Sequence, residues 1–308
     1  MPIILYNLVM KYLSVQEVTE NWQVSERSVR NYCKTSRVKG AKLVDGCWQI
    51  PANAEKPERL NGKKITEQNV LTLLRAEKEA HISGGLYHRL QVDMTYNSNH
   101  IEGSTLTHEQ TRYIFETNTV VSERDAGLKV DDIVETANHF RCIDMVIDNA
   151  MQPLSEHFIK QLHYVLKSGT MDSRKSWFAV GNYKKLANFI GGERATTLPA
   201  KVPGAVRKLL QKYDVQKQHT FGEIMEFHYQ FEKIHPFQDG NGRVGRLILL
   251  KECLRSDLVP FIIEDKDKYF YYRGLEEYGE GSKDRLRDVF LHSQDRFKIL
   301  MAKIFKRG

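Results

Sequence analysis

From Ile65 to the C-terminus, apolar residues return at every third or fourth position, and this repeat constrains the fold of the 308-residue chain more than any other feature. It runs through LTLLRAEKEA, DDIVETANHFRCIDMVIDNA, SEHFIKQLHYVLK and TFGEIMEFHYQFEKI. Each segment would carry an apolar stripe along a helix, and such stripes are buried against one another. Strand-like alternation is scarce. SWFAVGNYKKLANFIGG, residues 176–192, is the exception and suits a β-hairpin. The expectation for this part is therefore mainly α, with one hairpin. The chain is longer than a usual single domain, so one large domain with a small appendage is expected.

The appendage is expected at residues 1–55, followed by a linker at 56–64 and the large domain at 65–308. Ser14-Val15-Gln16-Glu17 is a capping-box sequence that would open a short helix with Val15, Val18 and Trp22 inward. A turn near Gln23-Val24 would follow. Ser25 would cap a second helix with Val29 inward and Arg27, Arg30, Asn31 and Lys34 outward. Asp45-Gly46, set between apolar runs, marks a hairpin. Helix, turn, basic helix and hairpin resemble the winged helix-turn-helix of MerR and excisionase-type DNA-binding modules. PANAEKPERLNGKK, with two prolines and many charges, reads as the linker.

Charge supports the same division. The formal net charge is +7, and six basic residues fall between Ser25 and Lys42 against one acid, Glu26. A cluster at one end suits a local anionic partner, DNA among them, with Arg27, Arg30 and Lys34 as candidate contacts. The composition, 41% hydrophobic and 28% charged, is that of a soluble globular protein. No run is long enough to span a bilayer. MPIILYNLVMKYLSV lacks the basic start and small-residue cleavage site of a signal peptide. Cys33, Cys47, Cys142 and Cys253 are scattered with no CxxC pair, which argues against a zinc site or disulfide framework and fits a reducing cytoplasm.

The chemistry is concentrated in HPFQDGNGRVGR, residues 235–246. His235 follows a helical pattern that Pro236 stops. Gly240-Asn241-Gly242 forms a loop, and RVGRLILLKECL opens a new helix. A glycine loop entering a helix N-terminus offers unpaired N–H groups to an anion. Arg243 and Arg246 lie on one side of that helix's first turn, where cations oppose the helix dipole unless a polyanion neutralises them. Asp239 could hold a divalent metal beside the same phosphates. His235 is the candidate general base. The set points to phosphoryl or nucleotidyl transfer, and the GxxxxGK[ST] pattern of the P-loop is absent.

At every defined position this stretch resembles the HxFx[DE]GNGRxxR signature of Fic domains. GNYKKLANFIG, upstream, looks like the Fic flap, and the likeness covers roughly residues 90–290. The resemblance implies an all-helical Fic fold with a hairpin flap, using ATP and Mg²⁺ to transfer AMP to a hydroxyl side chain of a target protein, itself included. It implies that His235 deprotonates the Ser, Thr or Tyr hydroxyl and that Asp239 binds Mg²⁺. Gly240, Asn241 and Gly242 would form the anion hole, and Arg243 and Arg246 would hold the β- and γ-phosphates. The whole run through Val244 and Gly245 is assigned to the nucleotide. Phe237 would anchor the loop, and Tyr271 and Tyr272 are placed like the tyrosines that flank the base. A core role for the two tyrosines is equally consistent with the sequence.

Further upstream, Ser98-Asn99-His100-Ile101-Glu102-Gly103 matches the inhibitory [ST]xxxE[GN] motif of Fic proteins, on an apparent helix near 90–103 that ends at Gly103. It resembles the second, intramolecular class of that family, with Ser98, Glu102 and Gly103 as regulatory residues. A Glu102 carboxylate paired with Arg246 would deny that arginine to the γ-phosphate. The expected function is an autoinhibited protein adenylyltransferase. Removal of AMP, transfer of another phosphate-containing group, and a DNA-binding regulator with a nucleotide-sensing Fic part remain alternatives. A homo-oligomer is left open.

Overall fold

The structure is a computed structural model that describes residues 11–34, 37–57, 69–120, 127–190 and 194–305. The chain divides into two compact units, Met1–Asn61 and Gly62–Gly308. Most of the expected linker, 58–64, lies outside the described residues.

The first unit begins with β1 (Tyr12–Leu13), α1 (Val15–Trp22) and α2 (Glu26–Lys34). Ser14 and Glu17 form the capping box: the Glu17 carboxylate accepts from the Ser14 N–H at 2.7 Å, and Ser14 Oγ accepts from the Glu17 N–H at 3.3 Å. Gln23, left-handed at φ 52°, ends α1. Ser25 Oγ accepts from the Ser28 N–H and opens α2. A hairpin of β2 (Lys42–Val44) and β3 (Cys47–Pro51) turns at Asp45 (φ 49°) and Gly46 (φ 78°), both in the left-handed region that a two-residue turn requires. The sheet runs β1-β3-β2, antiparallel throughout. Val15, Val18, Val29, Tyr32 and Ile50 form its core.

The second unit is helical: α3 (Val70–Glu79), α4 (Leu86–Ile101), α5 (His108–Thr117), α6 (Val130–Asp148), α7 (Glu156–Lys167), α8 (Val202–Tyr213), α9 (Phe221–Ile234), α10 (Asn241–Arg255), α11 (Lys268–Gly279) and α12 (Asp284–Phe305). α10 is central and packs against α4, α6, α7 and α9. Its whole length is buried except Gly242, so its polar residues need partners inside the core. Lys251 finds the carbonyls of Ala150 and Gln152, and Glu252 accepts from the Tyr213 hydroxyl at 3.0 Å. No described helix is long and apolar enough to cross a membrane, and the four cysteines are free.

The hairpin expected over 176–192 is displaced and much shorter. β4 (Phe189–Ile190) pairs with β5 (Arg194–Ala195) at the end of that stretch and beyond it, while residues 178–188 are turns and bends. Ala179 at φ 59° and Gly181 at φ 74° break the extended path. Lys184 then turns inward to a neutral polar cluster instead of alternating outward. Of GNYKKLANF, only Phe189 is in a strand.

Candidate active site

The glycine-rich loop is built from two helix ends. α9 stops at His235, which adopts the left-handed conformation (φ 53°) and donates its N–H to the Phe231 carbonyl at 3.0 Å. Pro236 cannot continue the helix. Phe237 is fully buried and stacks on His163, with ring centroids 4.0 Å apart. Asn241 closes the loop: its Oδ1 accepts from the Phe237 N–H at 2.8 Å and its Nδ2 donates to the Phe237 carbonyl at 2.9 Å. The Asn241 side chain is thus a brace within the loop, and its backbone N–H is the group left for an anion. Gly240, left-handed at φ 80°, opens α10 with no side-chain cap. The first-turn N–H groups of Asn241, Gly242 and Arg243 have no carbonyl within the helix to meet, which is the arrangement that attracts an anion.

The two arginines reach different partners. Arg243 is buried among carboxylates, pairing with Glu135 and, through NH2 at 3.2 Å, with Asp239 Oδ2. Lys167, at the end of α7, meets the same oxygen at 2.8 Å and also pairs with Glu135 and with Asp172. Burial works to raise the Asp239 carboxyl, but Arg243 and Lys167 hold it well below the usual carboxylate range. Arg246 turns toward α4. Its Nε donates to Ser98 Oγ at 2.9 Å, and its NH2 donates to the Ser98 carbonyl at 2.9 Å and to Glu102 Oε1 at 2.7 Å. Glu102 caps the end of α4, and Gly103 takes φ 96°, a turn that favours glycine. Glycine at 242 leaves room for this pair, because a Cβ there would overlap Glu102 Oε1 and push the carboxylate from its present place.

One cavity of ≈ 580 Å³ is lined by Glu102, Gly103, His235, Gly242 and Tyr272, with Phe189 and Ile190 of the hairpin, whereas Asp239, Arg243 and Arg246 are not part of its wall. Burial, with the Lys184 charge next, pushes the His235 imidazole down to about 4. At neutral pH it is in its basic form. Tyr271 also borders the cavity, but it is only 1% exposed and its hydroxyl lies 2.7 Å from His228 Nε2. Tyr272, half-buried, is the one left to face a ligand. Val244 does not reach the cavity, because its side chain points into the core and its N–H donates to the Gly240 carbonyl. Gly245 faces the other way, against Glu232 and His228. In the first unit, Arg27, Arg30 and Lys34 lie along α2, with Arg30 tied to Glu26 at 3.0 Å.

The motif itself does not reveal Glu135, His163, Lys167, Lys184 or Glu232. His163 joins three segments: Nδ1 accepts from the Gly181 N–H at 2.9 Å, which leaves Nε2 to donate to the Asp239 carbonyl at 3.1 Å. The signal for Lys167 was its place on the buried stripe of Phe158, Leu162, His163 and Leu166, where a lysine needs a partner. Glu135 and Glu232 carried no such mark.

The helical core has the fold of solved Fic-domain structures. The Fic/DOC family profile matches residues 153–253. A Fic domain-containing signaling protein from Bacteroides thetaiotaomicron superposes with TM-score 0.62 at 21% identity, over 77% of this chain and 97% of that one. A Fic-1 fragment from C. elegans superposes at 0.59 and 19%, over 77% and 73%. Among curated relatives, protein adenylyltransferase Fic of Drosophila erecta is 28% identical over 229 residues, 70% of this chain and 41% of its own length. That of Aedes aegypti is 27% identical over 241 residues, 73% and 43%. The chain thus spans about two fifths of the length of these relatives, and the likenesses support a Fic core.

Proposed function

We propose that the chain is an autoinhibited protein adenylyltransferase that moves AMP from ATP to a Ser, Thr or Tyr hydroxyl of a target protein, itself included. The observation that carries this reading is the Glu102–Arg246 pair at the open N-terminus of α10, with Glu102, Gly242 and an unprotonated His235 lining one cavity. His235 takes the proton as the hydroxyl oxygen bonds to the α-phosphorus, and the bond to the β-phosphate bridge breaks to release pyrophosphate. The first-turn N–H groups of α10 receive the phosphate charge. Arg246, once released from Glu102, holds the γ-phosphate. While Glu102 keeps it, the triphosphate is displaced, and a misplacement of about 1 Å slows transfer ~100-fold. The names of the relatives accord with this reaction.

Asp239 suits a magnesium ion as the one protein carboxylate. Its side chain is half exposed, it is held ionised, and its two cationic partners address one oxygen, Oδ2. Among the described residues no cluster of three or more His, Cys, Asp or Glu forms a complete cage, so phosphates and water would supply the other ligands, as magnesium prefers. When bound, the ion would neutralise phosphate charge.

The reading is tested with ATP labelled at the α-phosphate. Glu102→Gly is expected to raise protein labelling, and adding His235→Ala to abolish it. Equal labelling of wild type and Glu102→Gly removes the brake from the account. Labelling that survives the loss of His235 removes the base.

For residues 1–61 we infer a winged helix-turn-helix that contacts DNA. The supporting observation is the order α1, turn, α2, hairpin, with Arg27, Arg30 and Lys34 on α2. Salt-sensitive binding of duplex DNA, lost on joint substitution of Arg27 and Arg30, is the expected result. No binding at low salt ends this reading.

A further inference from the structure

Lys184 has a role that the motif does not assign to it. Its side chain is buried to 2% exposure, yet among the described residues its ammonium meets only neutral oxygens, Asn188 Oδ1 at 2.6 Å and Thr196 Oγ1 at 2.5 Å. A buried lysine is ordinarily paired with a carboxylate. Asn188 and Thr196 flank β4 and β5, and they form the neck of the hairpin, with Thr196 Oγ1 also donating within 3.0 Å of the Asn188 carbonyl. The neck is fastened to the glycine-rich loop. Asn188 Nδ2 donates to the Phe237 carbonyl at 3.0 Å, and the Lys184 N–H donates to the Pro236 carbonyl at 2.9 Å, one residue from His235.

We propose that Lys184 is a positioning residue of this site, which clamps the hairpin neck to the glycine-rich loop and sets a fixed positive charge beside the His235 imidazole. The proposal rests on His235 being the base. Four groups act electrostatically on that imidazole: the charges of Lys184 from the segment before β4, Glu102 from the end of α4 and Asp239 from the loop, and the Glu232 backbone from α9. Burial and Lys184 oppose its protonation, whereas the other three favour it. Burial lowers Lys184 itself to about 8, so it stays charged throughout the range in which His235 titrates. An imidazole held unprotonated can accept a hydroxyl proton in mildly acidic as well as neutral solution.

The test compares Lys184→Met, Lys184→Arg and Thr196→Val in the full chain. Lys184→Met removes the charge and leaves Thr196 and Asn188 bonded to each other at 2.6 Å. The His235 imidazole is titrated by NMR down to the pH at which the spectrum of the folded protein is lost, with its signal assigned from His235→Asn. Lys184→Met is expected to move the midpoint up by about one pH unit, the effect of one partly screened charge. Lys184→Arg is expected to leave it near the wild-type value. Thr196→Val should loosen the neck, seen as faster amide exchange in β4, without moving the midpoint. In a Glu102→Gly background, the acid limb of kcat/KM should shift with the NMR midpoint. An unchanged midpoint in Lys184→Met overturns the charge, and unchanged exchange in both Thr196→Val and Lys184→Met overturns the clamp. Absence of AMP transfer by Glu102→Gly would defeat the functional reading alone, because the NMR titration needs no reaction. Should Lys184→Met fail to fold, Lys184→Gln gives the same comparison.

Discussion

Arg246 is the residue on which the proposed regulation turns, and its hydrogen bonds define what a ligand must replace. Nε and NH2 are taken by Ser98 and Glu102, while NH1 is buried with no hydrogen-bond partner among the described residues. NH1 lies 3.0 Å from where a Cβ on Gly242 would stand, so it faces the open end of α10. A phosphate arriving there would find one donor ready and would compete with Glu102 for another. Ser98 contributes to the latch independently of Glu102. A hydrogen bond to a charged group is worth about 1.5–3 kcal/mol, so Ser98→Ala should weaken the latched state by roughly tenfold or more. Initial rates of AMP incorporation should rise in Ser98→Ala, but less than in Glu102→Gly, which removes the one carboxylate paired with Arg246 among the described residues. A Ser98→Ala rate at the wild-type level would show that Glu102 alone holds the arginine. The pairing of Arg246 with Glu102 was legible because both residues sit in short, spaced motifs. The ring of Glu135, Lys167 and His163 was not, because these residues sit in no recognised motif and meet the glycine-rich loop only in the folded chain.

Elements were legible where local chemistry sets them, and obscure where tertiary contacts do. The capping box at Ser14 and the left-handed pair Asp45-Gly46 each fix their element within a few residues. The hairpin lies later than the sequence suggests because adjacent Tyr183 and Lys184 both turn inward, which an extended strand does not allow, and pairing begins only at Phe189. Tyr271 was ambiguous for a similar reason: periodicity marks a buried face without saying whether it meets core or ligand. α11 presents Tyr272 to the cavity, and its seat depends on Gly274. A Cβ at Gly274 would lie 2.9 Å from the backbone of Leu286 in α12, which has no rotamer with which to yield. Gly274→Ala is therefore expected to destabilise the protein by about 1–3 kcal/mol through forced separation of α11 and α12. Gly204, in α8, has nothing within 4 Å of the same position. Gly204→Ala should be neutral or stabilising by about 0.5–1 kcal/mol, since alanine favours a helix. Urea denaturation of both variants checks the pair. Equal effects would mean that α11 and α12 can part without strain.

At the scale of the molecule, the larger unit stores several imidazoles in unprotonated form. Burial pushes His139, His163 and His228 down to about 3, and His235, with the Lys184 charge added, to about 4. All four folded values lie below the unfolded value near 6.5. As pH falls through about 6.5, the unfolded chain takes up these protons and the folded chain does not, so stability is lost on acidification. Glu232 acts in the opposite direction. Burial raises its carboxyl to about 8, so between about 8 and 4.5 the folded state holds a proton that the unfolded state has released. The net difference between about pH 6 and 4.5 is therefore up to three protons, or about 4 kcal/mol per pH unit at about 1.4 kcal/mol each. A domain's whole stability is about 5–15 kcal/mol, so such a slope consumes much of it within two units. The urea midpoint should fall steeply from pH 6 to pH 4.5 and vary little from 7 to 8. Glu232→Gln removes the opposing proton and should steepen the fall. A midpoint that is level from pH 6 to 4.5 would mean that the buried histidines, His235 among them, take up protons in the folded state, and the basic form assigned to His235 would be lost with it.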